Sequence, residues 1–165
     1  NTSIKIGKQS KGFLILKINF IERMLGSGFF TGYIPFASGT FGSLMAIAIY
    51  LIPGFENPTI LLSLISFFSI IGIHLGNKFE KVYGKDPSQC TIDEMVGMWI
   101  TLLFLPKYIW FILIAFIIWR ILDIIKPFPA NIVEKIKGGW GIMLDDIIAA
   151  LYSLILIHII IYFIS

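Results

Sequence analysis

The stretch Gly138-Gly-Trp-Gly-Ile-Met-Leu-Asp-Asp-Ile-Ile-Ala-Ala150 leads into an apolar run that continues to Ile164. Two adjacent carboxylates, Asp145 and Asp146, therefore lie at the mouth of a segment long enough to cross a bilayer, which takes about 20 residues. One ionised Asp at the centre of a membrane helix costs roughly 2.5–3.5 kcal/mol on insertion scales. Two of them need a cation, a polar neighbour or an interfacial position. We expect a metal ion on which other acidic residues converge.

Composition places the chain in a membrane. Of its 165 residues, 57% are hydrophobic and 14% are charged, against about 25% charged in a soluble domain. This length predicts a single domain over residues 1–165. The single cysteine, Cys90, excludes a disulfide framework and a four-thiolate zinc site. No basic tract interleaved with aromatic residues suggests nucleic acid, and no protein partner is evident.

Hydropathy divides the chain into apolar segments separated by polar ones. Residues 1–11 form a polar, basic tail without a signal-peptide pattern. Residues 12–25 have helical spacing with a polar side, which predicts an interfacial helix. The glycine-rich stretch 26–43 and the stretch 78–93 are predicted to be loops. The apolar segments are 41–52, 60–75, 94–105, 108–125 and 142–164.

The lengths of these segments set the fold class. Segments 41–52 and 94–105 are shorter than the roughly 20 residues of a full span, so they either cross a thinned bilayer or are re-entrant and buried in protein. We therefore predict an all-α, polytopic membrane helical bundle with three to five membrane segments.

The basic residues predict an orientation. If all five segments cross, twelve Lys and Arg residues lie on the side of the N-terminus, and only Lys107 lies opposite. The positive-inside rule then places the N-terminus in the cytoplasm. The same assignment brings four unusual polar stretches to the cytoplasmic face: 26–43, 85–94, 120–129 and 138–146.

Carboxylates are concentrated in those stretches. The candidate metal ligands and catalytic residues are Asp93, Glu94, Asp123, Asp145 and Asp146. Each one taken alone is also compatible with a solvated interfacial residue. Oxygen ligands without a nearby His or Cys favour Mg²⁺. Because adjacent helical residues point about 100° apart, we expect each acidic pair to supply one direct ligand, and the second member to hold a water, a second metal or a basic residue.

A basic pair accompanies the carboxylates. Arg120 and Asp123 share one helix face, which continues to Lys126. This pattern fits a plain interfacial ion pair, or a site in which Arg120 and Lys126 hold a phosphate. The segment Ser38-Gly-Thr-Phe-Gly-Ser43 opens a helix, so Gly39, Thr40 and Ser43 are candidate phosphate donors. The two histidines, His74 and His158, are predicted to be packed and hydrogen-bonded.

Four blocks resemble the bacterial phosphatidylglycerophosphatase A family. They are IPFASGTFGSL (34–44), IDEMVGMWI (92–100), FIIWRILDIIKPFP (116–129) and GGWGIMLDDIIAA (138–150). The resemblance covers roughly residues 17–160. It implies an all-helical, Mg²⁺-dependent enzyme of the bacterial inner membrane that removes the terminal phosphate of the anionic phospholipid phosphatidylglycerophosphate to give phosphatidylglycerol. The segment and charge counts above add that it is multi-pass, with its active site facing the cytoplasm.

The residues fit that chemistry. A cation held by carboxylates neutralises a phosphate and activates water, and basic residues stabilise charge on the phosphoryl oxygens. We favour direct attack by water, although an aspartyl-phosphate intermediate also fits. The alternatives are a membrane cation transporter, since intramembrane carboxylates also mark ion pathways, and another Mg²⁺-dependent phospholipid-head-group enzyme.

Overall fold

The computed structural model describes residues 17–164, and all regular secondary structure in that part of the chain is helical, as predicted. The predicted tail 1–11 lies outside the described residues. The helices are α1 (Phe20–Gly26), a 3-10 turn (Thr31–Tyr33), α2 (Ser38–Tyr50), α3 (Pro58–Tyr83), α4 (Ile92–Thr101), α5 (Ile109–Ile125), α6 (Ala130–Val133) and α7 (Gly139–Ile164).

The outer surface of the bundle is apolar. Helices α3 and α7, each of 26 residues, are long and apolar enough to cross a membrane, and α5 has 17 residues. Large apolar side chains are exposed along these three helices, from Ile70 (71% exposed) through Ile124 (73%) to Phe163 (80%). Water-soluble monomers rarely expose apolar surface of this extent, so the fold is that of a membrane helical protein.

Helix α4 is the internal element of the bundle. Nine of its ten residues are buried, because α2, α3, α5 and α7 all pack against it. Ten residues extend about 15 Å, half of the roughly 30 Å hydrocarbon core. The predicted segment 94–105 thus begins two residues earlier, at Ile92, and ends as a helix at Thr101. Its neighbours are protein side chains rather than lipid.

Helix α3 is longer than predicted. The sequence suggested an end at Gly76-Asn77, but the helix continues to Tyr83, so the first third of the predicted loop 78–93 is helical. Gly76 serves a close helix contact instead: a Cβ there would lie 2.8 Å from Cα of Gly139. The Asn77 side chain accepts a hydrogen bond from Gly139 N (3.0 Å), so α3 caps the start of α7.

Helix α1 is shorter than predicted. Residues 12–16 of the expected interfacial helix 12–25 lie outside the described part of the chain, and residues 17–19 are not helical. The helix starts after Asn19, whose side chain accepts from Glu22 N while Glu22 accepts from Asn19 N. This reciprocal capping box fixes the N-terminus of α1 at Phe20.

Other predicted loops contain helical turns. The stretch 26–43 includes the 3-10 turn, and α2 starts at Ser38 rather than 41. The connection between α5 and α7 contains α6, and α7 starts at Gly139 rather than 142.

Two buried tryptophans fasten the short helix α2 to its neighbours. Trp99 on α4 donates to the Ala46 carbonyl, and Trp119 on α5 donates to Ser43 Oγ, both at 3.0 Å. A buried indole of this kind contributes a large apolar area only when its N–H is satisfied. Gly97 makes room for Trp119, because a Cβ at position 97 would lie 2.2 Å from its ring.

We expect Gly97→Ala to lower the melting temperature of the detergent-solubilised protein by about 5 °C, since overpacking costs about 1–3 kcal/mol and each kcal/mol is worth about 2–4 °C at this chain length. Thermal unfolding followed by tryptophan fluorescence measures it. Ser66→Thr adds one methyl group at an exposed position of α3 and should leave the melting temperature unchanged. Equal melting temperatures of the two variants would contradict this packing.

Candidate functional site

The polar stretches meet at one end of the bundle. Helices α2, α4 and α7 begin there, and α5 ends there. Their proximity is visible at Gly39, where a Cβ would lie 2.2 Å from Glu94 Oε1 and 3.2 Å from Arg120 Nη1. Three sequence-distant blocks are therefore in contact, as expected from the topology.

Three carboxylates form the centre of the site. Asp93, Glu94 and Asp146 each place an oxygen within 4.8 Å of the others. Asp93 and Asp146 are buried, 6% and 4% exposed, and Glu94 is partly buried. Buried carboxylates this close repel one another strongly unless a cation lies between them. We refer to these three residues as the carboxylate cluster.

The hydrogen bonds of the carboxylate cluster leave oxygens free. Asp93 Oδ1 accepts from Glu94 N in the first turn of α4 (3.1 Å), where the helix dipole favours negative charge. Glu94 Oε2 and Asp146 Oδ2 are buried and have no hydrogen-bond partner. Free, buried, hard oxygen donors in one small volume are suited to a divalent cation such as Mg²⁺.

Arg120 and Asp123 lie beside the carboxylate cluster. Arg120 Nη1 is 2.7 Å from Asp123 Oδ2, but its N–H groups are not aligned for a hydrogen bond. Asp123 is buried and adds a further negative charge next to Asp146. A guanidinium has five N–H donors, so the contact with Asp123 leaves donors of Arg120 available at the site.

The start of α2 contributes Gly39 and Thr40, the latter half-buried. The backbone N–H groups of a first helical turn have no partner within the helix. Ser43, also predicted to bind phosphate, is fully buried: its hydroxyl donates to the Gly39 carbonyl (3.0 Å) and accepts from Trp119. The structure thus gives Ser43 a packing role.

Lys126 ties α5 to α7 and α6. Its Nζ lies 2.5 Å from Asp145 Oδ2 and 3.2 Å from Glu134 Oε2. Burial lowers the pKa of Lys126, but the hydrogen bond and charge of Asp145 outweigh burial, so the pKa lies above its ordinary value and the ammonium stays charged. Asp145 is thereby engaged by a lysine, and the structure does not bring it into the carboxylate cluster.

Sequence reasoning missed Asn77 and Glu134. In the sequence, Asn77 is interpreted as the end of a helix. Its capping role depends on a tertiary contact with α7 that the sequence does not show. Glu134 had a weak signal, since it is the one carboxylate among the basic residues between positions 127 and 141.

The remaining reactive side chains lie outside this chemistry. Cys90 is buried, and burial raises the pKa of its thiol far above the ordinary value, so it is a poor nucleophile. His158 is part-buried, with Nδ1 2.8 Å from the Leu154 carbonyl, three turns beyond Asp146. His74 is exposed, so the prediction that it is packed is wrong; it lies on the outer face of α3.

Known proteins match most of the chain. The family model described as Phosphatidylglycerophosphatase A matches residues 24–161. A relative from Bacteroides thetaiotaomicron, described as "Putative phosphatidylinositol-3-phosphatase", is 43% identical, covering 84% of this chain and 92% of the relative. No solved structure matches the chain significantly.

Two relatives have the same description as the family. The Phosphatidylglycerophosphatase A of Escherichia coli is 39% identical over 84% of this chain and 82% of its own length. The Phosphatidylglycerophosphatase A of Haemophilus influenzae is 36% identical over 84% of this chain and 88% of its own length.

We expect a divalent cation to stabilise the wild-type protein, and Asp146→Asn to remove most of that effect. At about 100 times the dissociation constant the wild-type melting temperature should rise by roughly 5–10 °C relative to EDTA. In EDTA the variant should melt above the wild type, because one of three repelling charges is gone. Glu56→Gln, at the opposite end, is the control. An undiminished cation-induced shift in Asp146→Asn would contradict the assignment.

Proposed function

The chain belongs to the phosphatidylglycerophosphatase A family, and we propose that it hydrolyses the terminal phosphate monoester of phosphatidylglycerophosphate to phosphatidylglycerol and phosphate. The observation that carries the proposal is the carboxylate cluster beside Arg120 at one end of an apolar bundle. A phosphomonoester on a lipid head group lies at the membrane interface, the depth expected for the ends of these helices.

We propose Mg²⁺ as the cofactor. Asp93, Glu94 and Asp146 would hold it, with Asp123 close by. The charge balance supports a cation: of five carboxylates, with Asp145 included, two are paired directly with a basic residue, Asp123 with Arg120 and Asp145 with Lys126. When bound, the cation would supply neutralisation of phosphate charge and activation of water.

The protein's own groups account for substrate binding. The unused N–H groups of Arg120 suit bidentate binding of phosphate oxygens, and Lys126 adds a point charge. Gly39 and Thr40 offer backbone N–H groups at the start of α2. Arginine and helix N-terminal donors fixed in advance stabilise the charge that the phosphoryl group carries in the transition state.

We propose direct attack by water. Cys90 is excluded as nucleophile by its burial and raised pKa. Attack breaks the bond between phosphorus and the head-group oxygen, and the head group leaves as an alcohol. A carboxylate oxygen of the cluster that does not hold the cation would accept the proton of the attacking water and return it to the departing head-group oxygen.

An inositol lipid phosphate is the second candidate substrate. The Bacteroides relative described as "Putative phosphatidylinositol-3-phosphatase" has a higher identity to this chain, 43%, than the two phosphatidylglycerophosphatases named above. A cation transporter has less support, because the described carboxylates of the site gather at one end of the bundle and do not line a path through it.

We propose a multi-pass location in the bacterial inner membrane with the active site facing the cytoplasm. The asymmetry of the basic residues, twelve against one, supports this orientation. Lys107, the exception, pairs with Glu56 at the opposite end of the bundle from Lys126.

The purified protein should release phosphate from phosphatidylglycerophosphate in Mg²⁺ and lose this activity in EDTA. Asp93→Asn, Glu94→Gln, Asp146→Asn and Arg120→Gln should each lower kcat/KM by about 10²-fold or more, the scale of losing one preorganised charge at a transition state. Glu56→Gln should match the wild type. Near wild-type rates in the cluster variants at saturating Mg²⁺ would reject the site.

The same assay with phosphatidylinositol 3-phosphate decides between the two lipid classes. A kcat/KM on the inositol lipid well above that on phosphatidylglycerophosphate would reassign the physiological substrate while leaving the site in place.

Cysteine labelling tests the orientation. We expect a membrane-impermeant maleimide to label Pro53→Cys in intact cells and Lys137→Cys only after permeabilisation, because positions 53 and 137 are exposed at opposite ends of the bundle. Native Cys90 is buried and should stay silent. The reverse labelling pattern would invert the topology.

A further inference from the structure

The two adjacent aspartates of α7 face different surroundings. Asp146 joins the carboxylate cluster, whereas Asp145 lines a small recess on the neighbouring side of the helix. The residues that line this recess include Glu80, Lys85, Asp86, Glu134, Gly138 and Asp145. We call it the head-group recess.

One oxygen of Asp145 has no hydrogen-bond partner among the described residues. The residue is 3% exposed. Its Oδ2 is paired with Lys126 Nζ, but its Oδ1 is buried and unpartnered. A buried carboxylate oxygen without a donor is costly, so this oxygen is suited to accept a hydrogen bond from a bound group.

The head-group recess is small and polar. It admits the centre of little more than one water-sized group. Charged side chains line it, and Lys126 connects it to the phosphate-binding side of the site through Asp145. The recess has room for a single small group, and Asp145 lies between it and Lys126.

We propose that the head-group recess binds a hydroxyl on the carbon next to the phosphorylated carbon of the substrate, with Asp145 Oδ1 as the acceptor. This rests on the proposed function. Lys126, which is paired with Asp145, is then positioned to bind the phosphate. The two side chains together recognise a hydroxyl and a phosphate on neighbouring carbons. The glycerol head group of phosphatidylglycerophosphate has such a hydroxyl, and inositol 3-phosphate meets the same requirement.

This assigns Asp145 to substrate selection rather than to metal binding. A lipid phosphate without the neighbouring hydroxyl leaves Asp145 Oδ1 unpaired in the complex, and phosphatidic acid is such a lipid because its neighbouring carbon is acylated. Leaving a buried charged acceptor unpaired corresponds to a discrimination of roughly 10–100-fold.

The test compares phosphatidylglycerophosphate with an analogue in which propane-1,3-diol replaces the head-group glycerol, so that only the hydroxyl is missing. The wild-type protein should prefer the natural lipid in kcat/KM by about 10–100-fold. Asp145→Ala should bring the preference close to one. Asp145→Asn keeps the side-chain shape, guards against misfolding, and should lower the preference at least threefold.

Asp93→Asn is the matched control within the site, since it should lower kcat/KM for both lipids and leave their ratio unchanged. A wild-type protein that hydrolyses both lipids equally, or an unchanged preference in both Asp145 variants, overturns the proposal. So does an increase in the Mg²⁺ concentration for half-maximal activity in Asp145→Asn as large as that in Asp93→Asn. Failure of the proposed function is distinct: the wild type then releases no phosphate from phosphatidylglycerophosphate.

Discussion

Three carboxylates gathered within 4.8 Å at the buried end of an apolar bundle are the constraint on which the rest of the site depends. Two come from the first turn of α4 and one from the second turn of α7, so both helix starts must lie together. Close packing achieves this: Gly39 allows α2 to touch Glu94, and Gly76 allows α3 to touch the start of α7. Side chains larger than hydrogen at these positions would separate the helices and with them the oxygens.

The negative charge of the carboxylates requires basic residues nearby. The carboxylate cluster with Asp123 and Asp145 concentrates negative charge where the dielectric is low, and an anionic phosphate would be repelled from such a place. Arg120 and Lys126 offset part of it, each from the end of α5 and each paired with one aspartate. In the proposed function the same two cations also bind the phosphate, so the ion pairs that stabilise the fold would prepare the site. The proposed divalent cation would complete the balance.

Much of this arrangement could be predicted from the sequence. The four polar blocks could be assigned to one face of the membrane from the number of apolar segments and the one-sided placement of the basic residues. The helical spacing of Arg120 and Asp123 placed these two side chains together. The role of individual side chains could not be predicted in this way. Ser43 lies in a stretch that looks like a ligand-binding loop, but its hydroxyl accepts a hydrogen bond from Trp119 on α5. Asn77 lies where a helix end was expected, but its side chain accepts a hydrogen bond from Gly139 of α7. The periodicity of the sequence indicates which face of a helix a residue occupies. It does not indicate which residue of another helix packs against that face.

The aspartate pair shows how one helical step gives adjacent residues different surroundings. A rotation of about 100° between neighbouring residues turns Asp146 toward α4 and Asp145 toward Lys126 and α6. If both faced the carboxylate cluster, a fourth buried charge would increase the repulsion there and Lys126 would lose its stronger partner. If both faced Lys126, the cluster would lose its only ligand from α7. The division satisfies both requirements with adjacent residues: Asp146 completes the carboxylate cluster, and Asp145 holds Lys126 and lines the head-group recess.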